Sequence, residues 1–328
     1  MAEAAPVLGF DLGGTKMLAA VVGGDFSVRG RAKRKTGTER GNDAVFAGIV
    51  DTIEQALVSA GCVLSDIAGV GIACPGPIDM HTGVVLETPN LDLRDFALRD
   101  RLTKKLGLPV VLENDVNAGV YGEFVAGAGR GFSHIVGLFP GTGIGGGLIL
   151  DGRLYRGARG GAGEIGHMVV QAGGRRCGCG RFGCLEAVAS RSALAKDLVA
   201  LAANGEAPTI RQKAGTDFLA IKSGTIARAM EAGEEAVIEL VMRSAQFLGI
   251  GMGNCVNAFD PELIILGGGM VEKFGDQYLA TAIESMRETG MKRMVEHVKV
   301  KAAELGDDAA VIGAAALLRE SLALESSR

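Results

Sequence analysis

The sequence has no basic stripe. Its 34 lysines and arginines stand against 38 aspartates and glutamates, for a net charge of −4, which argues against nucleic acid or an anionic membrane as a partner. No charged-then-apolar segment opens the chain, and no run is read as apolar and long enough to cross a bilayer. The expected location is therefore the cytoplasm. Cysteine is sparse, six residues in 328. Three of them, Cys62, Cys74 and Cys255, stand singly among apolar neighbours and read as reduced core thiols. Two nucleotide-binding signatures are also missing. No Gly-x-x-x-x-Gly-Lys-Ser/Thr occurs, so there is no Walker A loop. No Gly-x-Gly-x-x-Gly opens a helix, so a dinucleotide fold is excluded.

What is plentiful is glycine, 51 residues gathered in short runs beside apolar segments. That placement suggests backbone-built ligand loops rather than flexible linkers. The length and a 48% hydrophobic share allow two domains, each with its own core. Short apolar runs predict strands over Val7–Leu12, Lys16–Val22 and Ser27–Lys33, with paired glycines as turns between them. Helices are expected at Asp43–Ala60, Asp95–Leu106 and Asn117–Ala126, and strands at Gly69–Ala73 and Pro109–Glu113. The opening pattern then returns as strands Ser133–Phe139, Gly145–Leu150 and Arg153–Tyr155. Two strand–glycine turn–strand meanders, each followed by alternating helix and strand, predict a duplicated α/β architecture. Beyond them come helices Arg191–Ala203, Thr216–Glu231 and Glu234–Ala258, a strand at Leu263–Leu266 and a last helix at Ala309–Leu324 that closes back on the first domain.

Three glycine loops are candidates for chemistry. Asp11-Leu12-Gly13-Gly14-Thr15-Lys16 and Gly141-Thr142-Gly143 each let backbone N–H groups approach an oxyanion, and each adds a threonine hydroxyl. Either alone reads more readily as a tight hairpin turn; two in equivalent places of repeated halves favour phosphate. Gly267-Gly268-Gly269 follows a buried strand and is placed either to hold a nucleoside or simply to connect strand to helix. The carboxylate best placed for proton transfer is Asp115, at the end of a strand finishing in Glu113-Asn114. Its alternative is a helix cap, and the two roles are compatible.

The segment from Gly163 to Glu186 carries His167, Cys177, Cys179 and Cys184, a Cys₃His set at the spacing of a closed tetrahedral zinc site. A Cys-x-Cys pair rarely meets disulfide geometry, which disfavours a disulfide. Glu164 and Glu186 are threaded through the same stretch. Four protein ligands leave no open position, so the metal is expected to organise the site rather than act in it. Imidazole has two nitrogens, so His167 can bind metal with one and a substrate hydroxyl with the other.

Together these residues resemble the ROK family of bacterial sugar kinases and sugar-sensing repressors, within the actin-like ATPase superfamily. The likeness runs from Phe10 to roughly Ala316. It is carried by the first phosphate loop, Pro75-Gly76-Pro77, Pro89-Asn90-Leu91, Glu113-Asn114-Asp115, the Gly141 loop, the His/Cys set and Asp260-Pro261 with the triple glycine. The resemblance implies two ribonuclease H-like domains closing over a hexose and ATP with Mg2+. Residues 1–116 with 309–328 form the smaller domain and 117–308 the larger one. It implies Asp115 as the base for the 6-hydroxyl, with Asn90, Asn114, Glu164, His167 and Glu186 on the sugar hydroxyls and Gly76 bringing backbone close. ATP falls to Asp11, Gly13, Gly14, Thr15, Lys16, Gly141, Thr142, Gly143, Gly267, Gly268 and Gly269, and structural Zn2+ to His167, Cys177, Cys179 and Cys184. Family habit implies a homodimer or homotetramer. Glucose is favoured over 2-acetamido sugars, fructose and allose on overall likeness to the family's glucokinases. The family's repressors carry a winged helix ahead of the first phosphate loop, and with that loop starting at Phe10 the expectation is a kinase. One departure is Pro140, where many members carry leucine; proline removes an N–H from the rim of the second loop.

Overall fold

The computed structural model describes residues 5–37, 41–88 and 91–326. It divides into two units. One holds the chain up to Gly131, Leu154–Ala162 and everything from Glu304 on; the other holds Phe132–Arg153 and Gly163–Ala303.

In the first unit β1 (Val7–Leu12), β2 (Lys16–Val22) and β3 (Val28–Lys35) form an antiparallel meander. After α1 (Asn42–Ala60), strand β4 (Val70–Cys74) pairs parallel with β1. Strands β5 (Ile78–Asp79), β6 (Val84–Thr88) and β7 (Leu93–Phe96) make a separate three-stranded sheet, and α2 (Leu98–Leu106) leads to β8 (Val110–Asn114). β8 pairs parallel with β4, giving the order β3-β2-β1-β4-β8. Helix α3 (Asp115–Ala126) follows directly. Alternation along β1 sends Leu8, Phe10 and Leu12 into the core shared with Val45, Ile49 and Ile53 of α1. Val7 packs on the opposite side with Val311, Ala315 and Leu318. Fully burying a side chain such as Phe10 contributes about 2–3 kcal/mol.

The second unit repeats that strand order. β9 (Ile135–Pro140) and β10 (Ile144–Leu150) pair antiparallel, with β11 (Arg153–Leu154) at the edge. Helices α4 (Leu185–Ala189), α5 (Arg191–Asn204), α6 (Pro208–Ala214), α7 (Ser223–Glu231) and α8 (Glu235–Phe259) precede β12 (Leu263–Leu266), which runs parallel to β9. Then α9 (Val271–Thr289), α10 (Lys292–Val295) and β13 (Lys299–Ala302) complete β11-β10-β9-β12-β13. The last helix, α11 (Ala309–Ser326), belongs to the first unit and packs on α3, β1 and β4. It comes so close to α3 that a Cβ at Gly313 would sit 1.7 Å from the Ala118 carbonyl oxygen. This packing keeps α3 with the first unit, beyond the boundary expected at residue 116.

Several expectations need correction. Asp95–Leu106 is not one helix: Leu93 and Phe96 are buried in β7, Asp95 has φ of 43°, and the helix starts at Leu98. Thr216–Glu231 begins with a short turn, closed where the Asp217 side chain accepts from the Leu219 N–H at 2.9 Å, and α7 starts only at Ser223. Cys62 is half-buried rather than a core thiol. By length and composition α8, with 25 residues, is apolar enough to cross a membrane, contrary to the reading of the sequence. Half of its apolar window is buried in the protein, against α9 and α4.

Candidate functional site

Because β1, β4 and β8 are parallel neighbours, their carboxyl ends lie on one edge of the first sheet. The register sets Asp11 beside Ala73 and Ala73 beside Glu113. That edge is where parallel α/β sheets bind ligands. Asp11 is the next-to-last residue of β1 and is pushed up to about 7, by burial first and then by the charge of Asp115. The turn after it is closed by Gly13 N–H donating to the Lys16 carbonyl at 2.9 Å. Thr36 supports it from β3's far end: its Oγ1 donates to the Gly13 carbonyl at 2.7 Å and its N–H to that of Thr15 at 3.0 Å. Lys16 is ion-paired with Asp307, which also meets Lys33 at 2.8 Å. The two lysines hold Asp307 at about 2, well below the usual carboxylate range. The sequence offered no signal for Asp307; only the fold brings it to the turn.

Asn114, and not Asp115, caps α3: its Oδ1 accepts from Val116 N at 3.0 Å and Asn117 N at 3.1 Å. Asp115 is the helix's first residue. It accepts from Asn114 Nδ2 at 3.0 Å and from Val116 N at 2.9 Å. Burial pushes its carboxyl above the ordinary aspartate value against the pull of those donors. A Cβ on Gly76 would lie 3.9 Å from Asn114 Nδ2, so the Pro75-Gly76-Pro77 loop does come against this strand end. Asn90 lies outside the described residues. Behind Asp115 stands Glu113, only 2% exposed, with Arg156 Nε donating to its Oε2 at 2.6 Å.

In the second unit β9 and β12 end side by side in the same way. The turn after β9 is closed by Gly141 N–H on the Gly143 carbonyl at 2.8 Å. The start of α5 grips it: Arg191 N donates to Gly141 O at 2.9 Å and Ser192 N to Thr142 O at 3.3 Å. Arg191 Nη2 also donates to Thr142 Oγ1 at 2.7 Å. Pro140 sits opposite Ile144 in the hairpin and its carbonyl accepts from Met270 N at 3.3 Å, so the proline is accommodated without opening the turn. Gly267 N–H donates to Leu138 O at 3.0 Å, which lays the triple glycine against the end of β9.

His167 and the three cysteines come together, with ligand atoms all within 4.8 Å of one another. Cys179 Sγ and Cys184 Sγ are 3.7 Å apart, and Cys177 Sγ is 3.6 Å from His167 Nδ1. Zinc–sulfur bonds of about 2.3 Å in a tetrahedron place sulfurs about 3.8 Å apart, so the donor set fits that ion. A small hairpin supports it, with Cys177 N–H on Arg181 O at 2.7 Å and Val170 N–H on Gly183 O at 2.9 Å. The other imidazole nitrogen, Nε2, faces Glu164 Oε2 at 3.8 Å. Glu186 joins this hairpin to the turn after β9: Oε1 lies 3.5 Å from Cys177 Sγ, and Oε2 accepts from Ile144 N at 3.0 Å. Glycine at 143 leaves room for this contact, since a Cβ there would fall 2.3 Å from Glu186 Oε2 and displace that carboxylate.

Comparison with known proteins places the chain among close company. The model of the ROK family matches residues 7–321. A glucokinase of Thermotoga maritima is 35% identical over 317 residues, covering 96% of this chain and 98% of its own. The crystal structure of a ROK family glucokinase from Streptomyces griseus, in complex with glucose and AMPPNP, is 33% identical with a TM-score of 0.81, covering 96% of this chain and 99% of that one. A xylose repressor of Caldicellulosiruptor bescii is 33% identical over 270 residues, 82% of this chain and 67% of the repressor.

Proposed function

The chain belongs to the ROK family, and on that footing we propose that it is an ATP-dependent sugar kinase acting on the 6-hydroxyl of a hexose, glucose foremost. The observation that carries this reading is Asp115. It is a half-buried carboxyl just past the end of a parallel strand, raised above its ordinary value and oriented by Asn114, in a chain that matches glucokinases along almost their whole length. Such a group accepts a proton from a hydroxyl as that oxygen attacks phosphorus. In this reading Gly76, Asn90, Asn114, Glu164, His167 and Glu186 hold the sugar, and the two glycine turns with Gly267–Gly269 hold ATP.

Magnesium, when bound, neutralises charge on the transferring phosphoryl group. Asp11 fits it: a half-buried carboxyl beside a second acid, pushed up to about 7, is one that a divalent cation would readily deprotonate. Zinc fits His167, Cys177, Cys179 and Cys184, where it would fix the hairpin that carries His167 and Glu186. The cytoplasm is the compartment proposed for this chemistry, and a homodimer or homotetramer the assembly.

The test is an ADP-release assay across a hexose panel that includes the 2-acetamido sugars. Glucose-dependent release with the highest kcat/KM supports the reading; preference for a 2-acetamido sugar redirects it within the family. Sugar binding without any ADP release would make the protein a sensor and overturn it.

A further inference from the structure

Glu113 is a buried carboxylate that the reading above leaves without a task. Both of its oxygens are committed. Oε1 accepts from Asn114 N at 3.0 Å and from Asn117 Nδ2 at 3.1 Å, so it is tied to the residues on either side of Asp115. Oε2 accepts from Arg156 Nε at 2.6 Å, a charge-assisted bond to a residue that arrives from a different stretch of chain. The Asn117 side chain is itself buried, and its orientation follows from the carboxylate, which demands the amide NH₂ rather than the oxygen.

Arg156 lies near the start of the excursion Leu154–Ala162, the one part of the middle of the chain that belongs to the first unit. The excursion is closed on itself, because Ala162 N donates to the Arg156 carbonyl at 3.1 Å. Fixing Arg156 therefore fixes Ala162. The next residues are Gly163 and Glu164, and His167 follows within a turn.

We propose that Glu113 is a positioning residue with two arms: one oxygen sets the Asn114–Asp115 strand end, and the other, through Arg156, pins the strap that leads into Glu164 and His167. The first arm serves the base and acts on kcat. The second sets where the sugar-holding segment departs and acts on sugar KM. This inference rests on the reading of Asp115 as the base and of Glu164 and His167 as sugar contacts.

Substitutions separate the arms. Glu113→Gln keeps an oxygen for Asn114 and Asn117 but turns an NH₂ toward Arg156, so it breaks only the second arm. Arg156→Met breaks the same contact from the other side. Each is expected to raise the KM for the sugar about tenfold, with kcat within about threefold of the parent. Because both remove one contact, Glu113→Gln/Arg156→Met is expected to be no worse than either alone. Glu113→Ala removes both arms and should lower kcat about tenfold as well; should it fail to fold, the other three variants decide. A fall in thermal midpoint with both kinetic constants unchanged would show a merely structural ion pair and overturn the proposal. Losses that multiply in the double variant would overturn it too. Asp115→Asn, assayed alongside, keeps the two levels apart: full turnover there sinks the reading of the site, whereas an inactive Asp115→Asn with a parent-like Glu113→Gln sinks only this inference.

Discussion

The turn after β1 and the turn after β9 occupy the same place in two sheets of the same strand order, yet they are stabilised by different means. The first is rich in charge: Asp11 leads into it, Lys16 leaves it, and Asp307 and Lys33 complete an ionic set around it. The second is uncharged from Gly141 to Gly143 and borrows its order from outside, from Arg191 at the head of α5 and Glu186 beside the cysteine hairpin. One turn is suited to managing charge and the other to presenting backbone donors in a fixed shape. In the second, shape depends on the same hairpin that carries the candidate metal-ligand set.

The largest expected effect comes from breaking that dependence. Chelation, or Cys179→Ser, should release the hairpin from Val169 to Cys184 and lower the thermal midpoint by roughly 10 °C. Hydrogen exchange should quicken at Ile144, whose N–H is held by Glu186, and stay unchanged across β1 and its turn. Equal quickening at both turns would erase the contrast.

Next in size is a pH effect centred on the first turn. Folding lifts the Asp11 carboxyl from an ordinary value of 3.8 to about 7, so the folded protein binds that proton more tightly than the unfolded chain does. Stability of the ligand-free protein should therefore fall as pH climbs from about 4 to 7, by up to about 1.4 kcal/mol per unit. Asp11→Asn should reduce the slope in urea unfolding, leaving the part that comes from Asp115, whose carboxyl folding also raises, and an unchanged slope would assign all of it elsewhere.

A steric test follows in the second turn. Gly143→Ala drives a methyl toward Glu186 and should cost about 1–3 kcal/mol, whereas a Cβ at Gly141 meets nothing within 4 Å and Gly141→Ala should be close to neutral. Equal costs would mean that Glu186 does not support the turn. The smallest effect is expected from Arg191→Ala, which frees the Thr142 hydroxyl. A rise of about tenfold in the KM for ATP, with little change in that for sugar, is the predicted signature.

Much of this was legible in the residues. Apolar runs broken by glycine pairs gave both meanders to within two or three residues, because buried strands tolerate little else. The His/Cys set was legible because metal-ligand spacing is local. The departures come from tertiary contacts that local pattern does not contain. Leu93–Phe96 became a strand because β6 pairs with it. Helix α9 and strand β13 went unread, the former broken at Gly275 and the latter largely exposed at the sheet's edge. Glu113 was visible as part of Glu-Asn-Asp, but its work depends on Arg156, and no spacing rule joins residues so far apart in the chain.

The account turns on Asp115, and one measurement reaches it directly: steady-state turnover of Asp115→Asn together with its sugar dissociation constant. The substitution preserves the shape and removes the proton acceptor. The expected result is a fall in kcat of about 10²–10⁴-fold, with sugar affinity within about threefold of the parent. Turnover at the parent rate would contradict the assignment, and with it the proposed chemistry of the strand end.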